Sequence, residues 1–143
     1  MTTQLLPITN IANLIPQKSP FVMVDTLVEF STENLVSSFR ILESNIFIES
    51  DYLTEPGLIE NMAQSVALHT GYAYFLEGEA APTGYIGSIK SIKILKLPKI
   101  NENITTNVTI LHEFMGVTMV EVQVLNEAEL VIAQSEMKTV IAS

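Results

Sequence analysis

The chain has 143 residues, of which 48% are hydrophobic and 16% charged, enough for one well-buried core and too short for two ordinary domains. Acidic residues outnumber basic ones 16 to 7, for a net charge of −9, which argues against nucleic acid or an anionic membrane as a partner. There is no cysteine, so disulfides, thiol nucleophiles and thiolate metal sites are excluded. No stretch reaches the roughly 18 uncharged apolar residues of a membrane helix, and the start lacks the basic-then-apolar pattern of a signal segment. The expectation is a single cytoplasmic domain spanning 1–143, with no metal and no cofactor.

Taken in order, residues 1–20 form a lead-in. Ile8, Ile11, Ala12 and Ile15 have helical spacing between Pro7 and Pro16, which predicts a short helix over 9–14. From Phe21 the pattern turns β-rich, breaks at Ser31-Thr32-Glu33-Asn34 and resumes over 35–42, as a hairpin would. Residues 43–57 read as a partly ordered loop feeding the next element.

That element, 58–75, is predicted to be a long helix. Ile59 to Phe75 contains no proline and a single glycine, after Pro56-Gly57. At about 100° per residue, Glu60, Gln64, Ala67 and Gly71 fall on one face and Met62, Val66, His69 and Ala73 on the opposite one. After Glu60 no charged residue follows until Glu77, so neither face is that of a solvated surface helix. A helix enclosed in this way that still opens with a carboxylate marks Glu60 as a functional candidate, because an unpaired buried charge is strongly disfavoured. The bland alternative is a helix-start carboxylate facing the helix dipole.

After the surface connection 77–82, four β-rich runs over 84–97, 103–114, 117–125 and 129–142 are separated by short turn signals, which predicts an antiparallel meander. One long apolar helix can be enclosed by about six antiparallel strands only if the sheet curls round it. The expected architecture is therefore α+β, a hotdog fold of five to six strands round one central helix. Such a unit leaves a sheet edge and part of the helix uncovered, which dimerisation would cover. Lys90, Lys93, Lys96 and Lys99 hold four of the seven basic residues. They read either as edge-strand protection or as a docking stripe for a small acidic protein.

Several motifs resemble a family. Leu14-Ile15-Pro16-Gln17-Lys18-Ser19-Pro20-Phe21, followed by Val22-Met23-Val24-Asp25, resembles the opening of the 3-hydroxyacyl-[acyl-carrier-protein] dehydratases of fatty-acid biosynthesis, Leu-Pro-His-Arg-Tyr-Pro-Phe with apolar residues and Asp after it. Pro56-Gly57 with Glu60-Asn61-Met62-Ala63-Gln64 resembles that family's central-helix start, and Asn45-Ile46-Phe47 its Asn-Glu-Pro-Phe-Phe. The short spacing from Gly57 to Glu60 is similar to that of the dehydratase-like hotdog proteins of aryl-polyene and flexirubin pigment clusters.

The resemblance implies an acyl thioester substrate delivered by an acyl carrier protein to a homodimer, a higher hotdog assembly or a heterodimer. It makes Glu60 the catalytic carboxylate, able to protonate a departing hydroxyl. The amides of Gly57 and Leu58 would polarise the thioester carbonyl, and Gln64 would neighbour Glu60. The family's histidine is missing: Ser50-Asp51-Tyr52-Leu53 stands where Gly-His-Phe-Pro is expected, and Gln17 replaces the histidine of the opening motif. Asp51 and Tyr52 are weaker candidates for acid–base work, and Gln17 for substrate binding. Only His69 and His112 remain, read as a core histidine and a surface one. Three functions stay open: a dehydratase (lyase) with a degenerate dyad, a non-catalytic acyl-binding subunit of an active partner, and an acyl thioesterase.

Overall fold

A computed structural model describes residues 6–141; the ends of the expected 1–143 domain, residues 1–5 and 142–143, lie outside the described residues. The main sheet comprises β1 (Thr26–Phe30), β2 (Asn34–Arg40), β5 (Gly84–Ile94), β6 (Asn103–Phe114), β7 (Val117–Leu125) and β8 (Val131–Ile141). Two-residue strands β3 (Ile48–Glu49) and β4 (Tyr52–Leu53) form a small hairpin ahead of the single helix, α1 (Glu55–Leu76). All pairings are antiparallel, in the order β1-β2-β6-β7-β8-β5. The sheet curls round α1, which packs on β2, β6, β7, β8 and β5. This is the hotdog arrangement expected from the sequence.

The enclosure follows from alternation. Along β6, Ile104, Thr106 and Val108 turn inward, and along β7 Thr118, Val120, Val122 and Val124 do so, as period-2 side-chain placement requires. They meet Leu58, Met62, Val66 and Leu68 of the helix, all fully buried. Burying each such side chain contributes about 1.5–3 kcal/mol.

Three expectations are corrected. No helix forms over 9–14; there is one turn, closed by the Leu14 amide donating to the Ile11 carbonyl at 2.9 Å. Ile8 instead exchanges both backbone hydrogen bonds with Leu27, each 2.9 Å; with the backbone committed there, Ile8, Ile11 and Ile15 of the expected face are anchored in the core together with Leu14, and Ala12 is exposed. Second, the four later runs are not one meander. β6 pairs with β2 and is thereby closed to β5, which crosses to the far edge and pairs with β8. Third, α1 begins three residues before the expected start because Pro56 sits within its first turn, where a missing N–H costs no hydrogen bond.

Candidate active site

The helix is not buried evenly. Glu60, Ala63, Ala67 and Thr70 form a partly exposed stripe, while Asn61, Met62, Gln64, Ser65, Val66, Leu68, His69 and Gly71 are buried. The stripe floors a groove of about 290 Å³, walled by Gln17, Pro82, Gly84 and Ile86, and by Thr139, Val140 and Ile141 of β8. Glu60 is the one ionisable side chain among the described lining residues. Alanines at 63 and 67 leave room that longer side chains would fill. The result is a channel of mixed polar and apolar lining headed by a carboxyl group.

Glu60 is held in place from one turn below. The Gln64 side-chain amide donates to Glu60 Oε2 at 3.0 Å and to the Phe21 carbonyl at 2.9 Å, while its oxygen accepts from the Met23 amide at 2.7 Å. Next to it, Asn61 Nδ2 donates to the Met23 carbonyl at 2.7 Å, and the Thr106 hydroxyl donates to Asn61 Oδ1 at 2.6 Å. These amides occupy the backbone of residues 21–23. That is why β1 starts at Thr26 rather than at Phe21, where the apolar run begins.

The helix start departs from expectation. Thr54 supplies no side-chain cap, and the Leu58 amide donates to the Thr54 carbonyl at 3.2 Å, inside the helix. Of the two amides expected to face a thioester carbonyl, Leu58's is thus committed, and Gly57's lies in the first turn, where amides have no intrahelical partner. A Cβ at Gly57 would stand 2.5 Å from Leu53 Cδ1 and 3.0 Å from Phe47 Cβ, so any side chain there would have to displace Leu53.

Other candidates lie elsewhere. Ser50 and Asp51, with φ of 51° and 72°, make the tight turn between β3 and β4, a position shaped by hairpin geometry. Tyr52 is 41% exposed and bridges Lys99. Neither Asp51 nor Tyr52 lines the groove of its own chain. His69 faces the core: its Nε2 lies 2.9 Å from the Ser31 carbonyl, its ring stacks on Phe30 at 4.9 Å, and burial lowers its pKa. His112 is exposed on β6. Neither histidine lines the groove with Glu60. Lys90 pairs with Glu136 at 2.9 Å, and Lys93, Lys96 and Lys99 are exposed along β5 and the segment after it. Leu53 and Pro98 share a backbone hydrogen bond of 2.9 Å, so the lysine segment runs beside the loop that enters α1.

Sequence reasoning missed Asn61, Ser65, Ser37 and Thr106. Ser37 and Ser65 join their hydroxyls at 2.7 Å, and Ser65 also donates to the Asn61 carbonyl at 2.8 Å. The available signal was a polar residue on a helix with no solvated face, since such a group needs a partner.

A family model described as ApeP-like, ApeP dehydratase, matches residues 9–142. No curated protein matches the sequence. The fold is similar to the dehydratase heterocomplex ApeI:P from Xenorhabdus doucetiae, with a TM-score of 0.87 at 15% identity, covering 98% of this chain and 93% of that one. It is also similar to a hypothetical thioesterase with coenzyme A from Streptococcus pneumoniae TIGR4, with a TM-score of 0.67 at 13% identity over 82% and 84% of the two chains. The E. coli PaaI protein from the phenylacetic acid degradation operon gives a TM-score of 0.64 at 10% identity, over 80% of each chain. At such identities the likeness is one of fold. Among the described residues no helix is long and apolar enough to cross a membrane, and no group of side chains is arranged to hold a metal.

Proposed function

The chain belongs to the ApeP-like dehydratase family, and on that premise we propose that it takes a 3-hydroxyacyl thioester from an acyl carrier protein, with Glu60 delivering a proton to the departing C3 hydroxyl. The observation that carries the reading is the groove itself: a channel along α1 with Glu60 as the one ionisable group among its described lining residues. Dehydration removes a proton from C2 and expels the C3 hydroxyl as water, leaving a double bond between C2 and C3. Glu60 is suited to protonate the departing hydroxyl. The Gly57 amide, at the positive end of α1, is suited to polarise the thioester carbonyl.

The proton acceptor for C2 comes from a second subunit. This chain has two histidines, one turned into the core and one exposed on β6. The edge strand β5 beside the groove leaves Ile86, Ile89 and Ile92 exposed at 36%, 40% and 40%, an apolar edge that another hotdog subunit would cover. That a similar chain occurs in a dehydratase heterocomplex supports a heterodimer whose other member carries the missing histidine. If that member performs the whole reaction, this chain is its acyl-binding partner, and the absence of the histidine favours this as the second reading. A thioesterase reading has less support, because the donors and acceptor of Gln64 are engaged by Glu60, Phe21 and Met23 and are not free to hold a water.

The carrier protein docks on Lys93, Lys96 and Lys99, with Lys90 beside them, a cationic stripe on a chain of net charge −9 leading towards the start of α1. The purified chain, alone and with a histidine-bearing hotdog partner, is to be incubated with 3-hydroxyacyl carrier protein. Slow or absent dehydration alone and fast dehydration in the mixed assembly support the reading. Equal rates for the partner with and without this chain, and no acyl-carrier binding by this chain, would overturn it.

A further inference from the structure

We propose that the side-chain amide of Gln17 binds the 3-hydroxyl of the acyl substrate, so that the groove distinguishes a 3-hydroxyacyl thioester from its 2-enoyl product. The inference rests on the groove being an acyl-thioester site. Gln17 lines that groove together with Glu60. Its side-chain oxygen is buried and has no hydrogen-bond partner, the one such side-chain atom among the described residues. A buried acceptor left unpaired is destabilising, and native proteins keep few of them. One that belongs to a residue lining an open groove takes its partner from what fills the groove, water in the empty site and ligand in the occupied one.

The surroundings fix where that partner must come from. Residues 14–21 lie against α1, with the Leu14 carbonyl oxygen packed on Gly71 and the Phe21 carbonyl bound by Gln64. Gln17 is held between these anchors; of the helix residues that share the groove with it, Ala63 and Ala67 offer only methyl groups, and neither Glu60 nor Thr70 bonds its oxygen. Turning about its last side-chain bond, a soft two-fold torsion, presents the oxygen to the groove. A saturated acyl thioester brings only acceptors and carbon there. A 3-hydroxyacyl thioester brings an O–H donor. When the C3–O bond breaks and the hydroxyl leaves as water, the donor leaves with it and Gln17 is unpaired again. Substrate is therefore held more tightly than product, which favours release of the enoyl chain.

The test is equilibrium binding of pantetheine thioesters of one chain length, 3-hydroxyacyl, trans-2-enoyl and saturated, to the full chain in its native assembly. Glu60→Gln is used as the parent so that substrate is not consumed. The parent should prefer the 3-hydroxyacyl form over the other two by roughly ten- to a hundredfold, the scale of one satisfied buried acceptor. Adding Gln17→Met, which keeps the length and removes the amide, should bring the ratio of 3-hydroxyacyl to saturated affinity close to one. Gln17→Glu, which retains an acceptor, should keep the preference and shows that loss is not a folding defect. Equal binding of the three thioesters by the parent, or a preference that survives Gln17→Met, overturns the role of Gln17 and leaves the acyl groove standing. Failure of every thioester to bind overturns both.

Discussion

The two sides of α1 are built on opposite principles. On the buried side each polar group meets a partner: Asn61 spans Met23 and Thr106, Ser65 meets Ser37, and His69 meets Ser31. Gly71 there admits the Leu14 carbonyl where a side chain would otherwise be. On the groove side, Glu60, Ala63, Ala67 and Thr70 are partly exposed and surround open volume. One helix thus carries a saturated face that fixes its position and an unfilled face that waits for a ligand. Substitutions on the first should register as stability, and on the second as binding and rate.

The largest stability effect is expected at Gly71. An added Cβ collides with backbone rather than with a flexible side chain, so Gly71→Ala should destabilise by about 3 kcal/mol, the upper part of the overpacking range, read by denaturant unfolding. Asn61→Ala comes next. It strands the Met23 carbonyl and the Thr106 hydroxyl, and a loss of about 2 kcal/mol is expected in the same assay. Ala67→Leu, on the groove stripe, should change unfolding by less than about 0.5 kcal/mol and weaken binding of long acyl thioesters by about tenfold; a stability loss as large as that of Asn61→Ala would erase the distinction between the faces.

The smallest effect is a pH dependence on the buried side. Burial lowers the His69 pKa from its usual 6.5, so over the window below 6.5 the unfolded chain binds the proton that the folded chain refuses. The contribution of neutral His69 is complete above 6.5 and falls as pH drops through that window. The Ser31 and Thr32 backbone and the charge of Glu113 oppose the shift. His69→Phe should flatten this part of the stability profile, and an unchanged slope would remove His69 from the account.

Much of this was legible in the sequence. The enclosed helix and the curled sheet followed from an apolar run with no charge between Glu60 and Glu77 and from β-rich runs on both sides of it. Strand order was not, because β5 is as β-rich as a meander strand, and only the pairing of β6 with β2 excludes it. Helical spacing at 8–15 misled, since one turn and a bridge to Leu27 bury Ile8, Ile11 and Ile15 without a helix and leave Ala12 exposed. At the site, a helical wheel put Gln64 and Gly71 on the face of Glu60. In the fold both are drawn inward by groups far away in sequence, the 21–23 backbone and the Leu14 carbonyl. Spacing gives the direction of a side chain; what lies opposite it is set by chain reversals that spacing does not encode.

The central claim is that Glu60 belongs to the functional face. Its most direct test is Glu60→Gln, assayed for dehydration of 3-hydroxyacyl carrier protein in the mixed assembly and for unfolding side by side. Glutamine keeps the shape and removes the transferable proton, so the account predicts a rate loss of about 10²- to 10⁴-fold with stability unchanged within about 0.5 kcal/mol. Dehydration at the original rate in every assembly would contradict it and leave Glu60 as a helix-start carboxylate beside a binding groove.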